Sequence, residues 1–290
     1  MTPSSLSIAA LAKLNLYLHV IGKRDDGYHE LDSLVAFATV HDTLHLTPAD
    51  RLSLTVEGPF AASLSPGSDN LVLQAAELLQ TKATITSGAA MRLVKRLPLA
   101  SGIGGGSADA AAALSGLIRL WGISIGEAEL IDLALTLGAD VPVCLHRKCV
   151  FMAGIGETLT PAPSLPETSI VLVNPSVGVS TPAVFKARHG GFSEAAPFDT
   201  AVPDTLTLAA LLSARQNDLT AAAITLTPTI TDSLNALDVQ PGCTLARMSG
   251  SGATCFGLFI SASDAAKAGE AIKADHPDWW VVESTLGGAP

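Results

Sequence analysis

The chain reads as an α+β protein of two units. Three features predict this: a strictly alternating stretch, Ala12-Lys13-Leu14-Asn15-Leu16-Tyr17-Leu18-His19-Val20; a glycine-rich turn, Gly102 to Gly106, opening into an alanine-rich segment; and a C-terminal half in the order βαββαβ. At 290 residues the chain exceeds one average domain. Gly154-Ile155-Gly156 breaks a strand and places the boundary, giving units 1–155 and 156–290. Apolar residues make up 48% of the chain and aromatics only 4%, so Leu, Val, Ile and Ala must build the core.

In chain order, the alternating stretch sets Ala12, Leu14, Leu16, Leu18 and Val20 on one face and predicts a half-buried strand. Lys13 and Asn15 then point the same way, about 7 Å apart, and either reach one ligand or form a solvated face. Asp26-Gly27 is a hairpin turn that delivers Tyr28 and His29 to the return strand. Such a pair stacks on and hydrogen-bonds a base, or merely packs the hairpin. Strands over 34–40, 43–47 and 52–56 predict a mostly antiparallel sheet of hairpins. Ser65 to Asp69 then forms a loop capping a helix over 70–80.

A strand-like run, Ala90 to Val94, leads into Leu97-Pro98-Leu99-Ala100-Ser101-Gly102-Ile103-Gly104-Gly105-Gly106-Ser107-Ala108. The four glycines in this stretch free the backbone for positive φ, and the alanine-rich segment beyond favours helix, with Ser107 as its cap and Gly122 its stop after Trp121. A glycine turn feeding a helix start gathers unpaired N–H groups and the positive dipole end on one point, which suits a polyphosphate. The alternative is a flexible connection before an ordinary helix. No Gly-Lys-Ser/Thr follows, which excludes a P-loop, and Ser107 replaces the third glycine of the dinucleotide fingerprint.

A helix over 126–137, with Leu130, Ile131, Ala134 and Leu137 on one face, stops at Gly138. Gly138-Ala139-Asp140-Val141-Pro142 then sets one carboxylate on an irregular turn, where Asp140 either caps a short helix or does catalysis. After a strand over 149–153 come a strand over 169–173, a helix opened by Thr181 and Pro182, helices within 206–237, strands over 244–248 and 254–260, a helix over 262–273 and a strand over 280–285. Without the inserted helices this is the split ferredoxin-like order. Ser249-Gly250-Ser251-Gly252-Ala253, between the middle strands, is a second small-residue loop, open to a ligand, to the first loop, or to a tight hairpin. Residues 189–203 read as a mobile surface loop.

The formal charge of −10 argues against a nucleic-acid partner, and the apolar runs are too short to span a bilayer. There is no basic region ahead of an N-terminal apolar block, and Cys144, Cys149, Cys243 and Cys255 lack zinc-like pairing. We expect reduced core cysteines in a cytoplasmic protein that is a monomer or weak homodimer. An anionic substrate must be held locally, by loop N–H groups with Lys13, Lys95 and Arg96.

Together, Ala12-Lys13-Leu14-Asn15-Leu16, the loop from Pro98 to Ser107 and Ser249 to Ala253 resemble the GHMP kinase superfamily over nearly the whole chain. Within it, Gly27-Tyr28-His29, Gly105 to Ala111 and Leu137 to Pro142 resemble the members that phosphorylate a cytidine-diphosphate-linked methylerythritol. The resemblance implies an N-terminal ATP-binding domain like domain 2 of ribosomal protein S5 and a C-terminal ferredoxin-like domain. It also implies ATP- and Mg²⁺-dependent phosphorylation of the 2-hydroxyl of that small molecule, in the non-mevalonate route to isoprenoid precursors. Asp140 would be general base with Lys13 its charged partner. ATP would be held by Asn70, Lys95, Pro98, Leu99, Ala100, Ser101, Gly102, Ile103, Gly104, Gly105, Gly106, Ser107 and Ala108. The acceptor would meet Asn15, Thr181, Gly250, Ser251 and Gly252, with Tyr28 and Phe185 sandwiching the cytosine and His29 bonding its edge. No metal ligand is assigned: Mg²⁺ would be held through the ATP phosphates, with Ser107 as the candidate side chain. Ala108 departs from the second serine of many relatives. Competing readings are a superfamily kinase for mevalonate phosphate, homoserine or a sugar, and a nucleotide-binding regulator; Tyr28, His29 and Phe185 favour a base-bearing substrate.

Overall fold

Two long strands organise the chain. In the computed structural model, which describes residues 5–287, strand β1 (Leu6–Lys23) pairs with β2 (His29–Ala49). Gly27, at φ 90°, makes the turn between them, and the Arg24 N–H donates to the Tyr28 carbonyl at 2.8 Å. The expected strands over 34–40 and 43–47 are one continuous strand. No breaker separates them, and the carboxylate of buried Asp42 accepts the N–H groups of Arg96 and Leu97. The chain divides into two compact units, each built from separate stretches: one from the chain up to Ala12, His41–Leu99 and Gly104–Arg147, the other from Lys13–Val40, Ala100–Ile103 and Lys148 onward.

In the first unit, β3 (Ser53–Glu57), α1 (Leu71–Ala83) and β4 (Gly88–Val94) follow. The sheet here is not all hairpins, because β3 and β4 run parallel, from Ser53↔Ala90 to Glu57↔Val94, with α1 as the crossover that parallel pairing requires. Strand β4 also lies antiparallel to β2, from Thr43↔Val94 to Ala49↔Gly88. Helix α2 (Gly105–Trp121) packs on α1 through small side chains, Ala110 to Ala113 being nearly inaccessible. At Gly116 a Cβ would run into Leu46 Cδ1 and come 3.0 Å from Ile8 Cγ1, so glycine lets α2 lie close on β2 and β1. Helices α3 (Glu127–Leu137) and α4 (Val141–His146) complete the unit.

In the second unit, β5 (Val150–Gly154) and β6 (Thr158–Pro161) form a hairpin, β5 pairing with β2 from Leu31↔Gly154 to Val35↔Val150. Then come β7 (Thr168–Asn174), α5 (Thr181–Ala187), α6 (Thr205–Ser213), α7 (Thr220–Leu226), α8 (Thr229–Asp238), β8 (Cys243–Met248), β9 (Cys255–Phe259), α9 (Ala262–Asp275) and β10 (Trp280–Leu286). The sheet order β10-β7-β9-β8, antiparallel throughout, is the ferredoxin-like arrangement expected from βαββαβ.

One expectation for β1 fails. Its polar face is as buried as its apolar face: Lys13 is 3% exposed, Asn15 1% and Tyr17 0%. The stretch 189–203, which has no helix or strand, is pinned over its Tyr17–Val20 end, while Asn15 is enclosed by Ser33 and Ser249. The Ser193 N–H donates to the Val20 carbonyl at 3.0 Å, a His19 ring nitrogen meets the Glu194 carbonyl at 2.9 Å, and the Ala196 N–H donates to Asp32 at 2.6 Å. All four cysteines are free; Cys144 and Cys255 are buried, Cys149 and Cys243 only partly. Among the described residues no helix is long and apolar enough to cross a membrane.

Candidate active site

In the first unit the glycine loop is approached through a buried ion triad. One Asp42 oxygen accepts from the N–H groups of Arg96 (2.5 Å) and Leu97 (2.8 Å), and the other from Lys95 Nζ (2.5 Å). Lys95 Nζ also reaches Asp109 Oδ2, one turn into α2, at 2.6 Å. Burial alone would pull the Lys95 pKa down, but the two carboxylates outweigh it and hold the group above an ordinary lysine. Burial, opposed by Lys95 and reinforced by the charge of Asp42, pushes the Asp109 carboxyl up to about 7.

Helix α2 enters through Gly104, at φ 64°, which makes no side-chain cap. Ser107, expected as the cap, lies instead within the first turn. The left-handed residue that swings the chain into the helix falls at Gly104, where no Cβ opposes it. The first-turn N–H groups are therefore left to a ligand or to solvent. A Cβ on Gly106 would find only Leu71 Cδ1 within 4 Å, at 3.6 Å, so the helix start has open space before it. Ala108, 3% exposed, faces the core. Asn70 caps α1, its Oδ1 accepting the Val72 N–H at 3.0 Å and its Nδ2 donating to the Ser65 carbonyl at 2.8 Å. Asp140 stands at the same position of α4, partly exposed, and its carboxylate makes no capping hydrogen bond.

The second unit gathers most of the acceptor residues. Lys13 Nζ donates to Asn15 Oδ1 at 3.0 Å, so the two residues do share a face, and Asn15 Nδ2 donates to Ser33 Oγ at 2.8 Å. The Asn15 N–H meets Ser249 Oγ at 3.1 Å, and that hydroxyl donates to the Gly102 carbonyl at 2.9 Å. Gly250 approaches so closely that a Cβ would lie 2.7 Å from the Gly102 oxygen. The second glycine/serine loop thus meets residues 100–103 of the first, one of the roles its composition allowed. Those residues are tied further by Lys13 N–H to the Ile103 carbonyl (2.9 Å), Val179 N–H to Ala100 (3.0 Å) and Thr254 N–H to Ser101 (3.0 Å).

Thr181 and Ser251 share a hydroxyl hydrogen bond of 2.7 Å. His29 stacks on Phe185 with centroids 5.0 Å apart and a 23° tilt, while the neighbouring Tyr28 ring is 61% exposed. Burial, then the charges of Lys23 and Arg188, lower the His29 pKa and favour the neutral imidazole, which both donates and accepts.

Sequence reasoning missed Ser33, Asp42, Asp109 and Ser249. Asp109 and Ser249 sit inside motifs already singled out, but their roles depend on partners distant in sequence. Asp42 carries no local sign at all and becomes visible only through the Thr43↔Val94 register. Among the described residues no cluster of three or more His, Cys, Asp or Glu is placed to hold a metal ion.

A chain that carries both an uncapped glycine-rich helix start and a ferredoxin-like unit has the equipment of a small-molecule kinase, and family models agree. Those for the GHMP kinases N terminal domain and GHMP kinases C terminal match residues 70–148 and 201–278. The 4-diphosphocytidyl-2-C-methyl-D-erythritol kinase of Paramagnetospirillum magneticum is 54% identical, over 98% of this chain and 99% of its own. A crystal structure of 4-(cytidine 5'-diphospho)-2C-methyl-D-erythritol kinase superposes with a TM-score of 0.80 at 34% identity, covering 98% of this chain and 100% of the other. Homoserine kinase from Cytophaga hutchinsonii shares the fold, with a TM-score of 0.76 at 20% identity over 99% and 96% of the two chains. The chain belongs to the 4-diphosphocytidyl-2-C-methyl-D-erythritol kinase family, a branch of the GHMP kinases. It is a phosphotransferase that uses ATP.

Proposed function

We propose that this enzyme transfers the γ-phosphoryl group of ATP to the 2-hydroxyl of 4-diphosphocytidyl-2-C-methyl-D-erythritol, giving ADP and the 2-phosphate. The observation that carries the substrate is full-length identity to relatives named for it. The neutral His29 stacked on Phe185 supports a base-bearing acceptor. In this reading Asn70, Lys95 and the stretch from Pro98 to Ala108 hold ATP. Asn15, Tyr28, His29, Thr181, Phe185 and Gly250 to Gly252 hold the acceptor.

Phosphoryl transfer passes through a loose transition state, so the protein chiefly aligns the two oxygens and stabilises spread negative charge. The N–H groups of the first α2 turn receive the polyphosphate. Asp140 takes the acceptor proton, and Lys13 balances the carboxylate's charge. Because the proton leaves late, a carboxylate is base enough. The Ser107 hydroxyl, an oxygen ligand of the kind Mg²⁺ prefers, would help hold that ion with the nucleotide, and the ion would supply charge neutralisation. We take the enzyme to act in the cytoplasm as a monomer or weak homodimer.

ADP release with ATP and Mg²⁺ tests the reading, comparing the cytidine-diphospho-methylerythritol acceptor with mevalonate phosphate and homoserine. Turnover confined to the first and inhibited by CDP is expected. Turnover with another acceptor overturns the base pocket, and none with any acceptor overturns the transferase assignment for these residues.

A further inference from the structure

Asp42 and Asp109, with side chains 0% and 3% exposed, have no step in the mechanism above, and they enclose Lys95, 1% exposed, which is among the residues read there as holding ATP. Two acids around one ammonium are costly to bury, and one atom of the cluster, Asp109 Oδ1, is buried without a hydrogen-bond partner. Their positions are specific. Asp42 takes the N–H groups of Arg96 and Leu97 where the glycine loop begins, and Lys95 joins Asp42 to Asp109 just past the point where the loop becomes α2. Lys95 Nζ lies directly beneath the loop, 3.2 Å from where a Cβ of Gly105 would stand.

We propose that Asp42 and Asp109 are positioning residues for the nucleotide: through Lys95 they clamp the two ends of the glycine loop so that the first-turn N–H groups of α2 converge on the phosphates. Lys95 then holds ATP indirectly, through this tie, and not by touching the phosphates itself. Two of its three protons are already committed at 2.5 and 2.6 Å, and its side chain has almost no solvent access. The raised Asp109 pKa agrees, since a proton on the cluster near neutrality leaves it without net charge beneath an anionic ligand. The proposal rests on the reading of this loop as the ATP site, and the control below separates the two.

ADP binding by calorimetry on the full chain, with the KM of ATP and of the acceptor, tests it in Asp109→Asn, Lys95→Met, their double variant and Gly106→Asp. Asp109→Asn and Lys95→Met are each expected to weaken ADP about tenfold while the acceptor KM stays within about twofold, and the double variant to be no worse than Lys95→Met, because coupled residues do not add. Additive losses mean that Lys95 contacts the nucleotide directly and overturn the clamp. If Lys95→Met does not fold, Asp109→Asn decides alone: a lower melting temperature with unchanged ADP affinity is a purely structural role and also overturns it. Gly106→Asp puts a carboxylate on the open face of the helix start without a clash. Loss of binding there with none in Asp109→Asn rejects the clamp only, whereas retained binding in Gly106→Asp rejects the ATP site and the clamp with it.

Discussion

Asn70 and Asp140 occupy the same position in two helices, the residue just before the first turn, and behave differently. Asn70 is extended, at φ −79° and ψ 124°, and its side chain bonds the Val72 N–H. Asp204 and Ser261 do the same for α6 and α9, from extended backbones of their own. Asp140 sits at φ −87° and ψ −8°, already near helical, and caps nothing. A capping side chain needs the extended backbone to bend over the N–H groups of the second and third helical residues, and in α4 the second is Pro142, which has no N–H. The same sequence signal therefore means a stabilising cap in one place and no cap in the other, where we propose the carboxylate as the base.

The largest effect should come from Asp140→Asn, which would be harmless at a cap. We expect kcat to fall about 100-fold or more with the melting temperature unchanged. Steady-state kinetics with near-normal turnover would return Asp140 to the class of Asn70. Asp109 is a third case, a carboxyl one turn into α2 that faces Lys95 and Asp42 and not the helix N–H groups. Since folding raises its pKa from 3.8 to about 7, the folded protein holds a proton that the unfolded chain has released between those values. Its contribution to stability is complete below pH 4 and is lost as the pH rises to 7. Thermal melts of the wild type against Asp109→Asn should therefore diverge over this window, by up to about 4 kcal/mol in favour of the variant, and run parallel above it. A constant gap would place the proton elsewhere. The smallest contrast is in stability alone: Asn70→Ala should cost about 1 kcal/mol, or about 2–4 °C, while Asp140→Ala stays within about 0.5 kcal/mol. Equal losses at the two sites would erase the distinction.

Much of this architecture was legible because its signals are local. The period-2 pattern of residues 12–20, the Asp26-Gly27 turn, the glycine stops of α2 and α3 and the order of the C-terminal elements all survive in the structure. Errors arose where a distant partner decided the outcome. Ser107 has every property of a cap, yet Gly104 starts the helix earlier; β1 alternates like a half-exposed strand, yet residues 193–196 meet its far end and Ser33 and Ser249 enclose Asn15. The parallel pairing of β3 with β4 was hidden because strand patterns carry no direction.

By itself the amino-acid sequence determined the elements, the βαββαβ order, the glycine-rich helix start and the residues offered for chemistry, since these depend on backbone freedom and periodicity within a few residues. Tertiary structure alone decided which polar groups are spent and which are spared. Ser249 bridges Asn15 to Gly102, and Lys95 is enclosed by Asp42 and Asp109, only because β-strand register and helix packing bring together residues 14 to 234 positions apart. Hydrogen bonds and ion pairs act over about 3 Å of space, whatever the separation along the chain, so the fold assigns these partners.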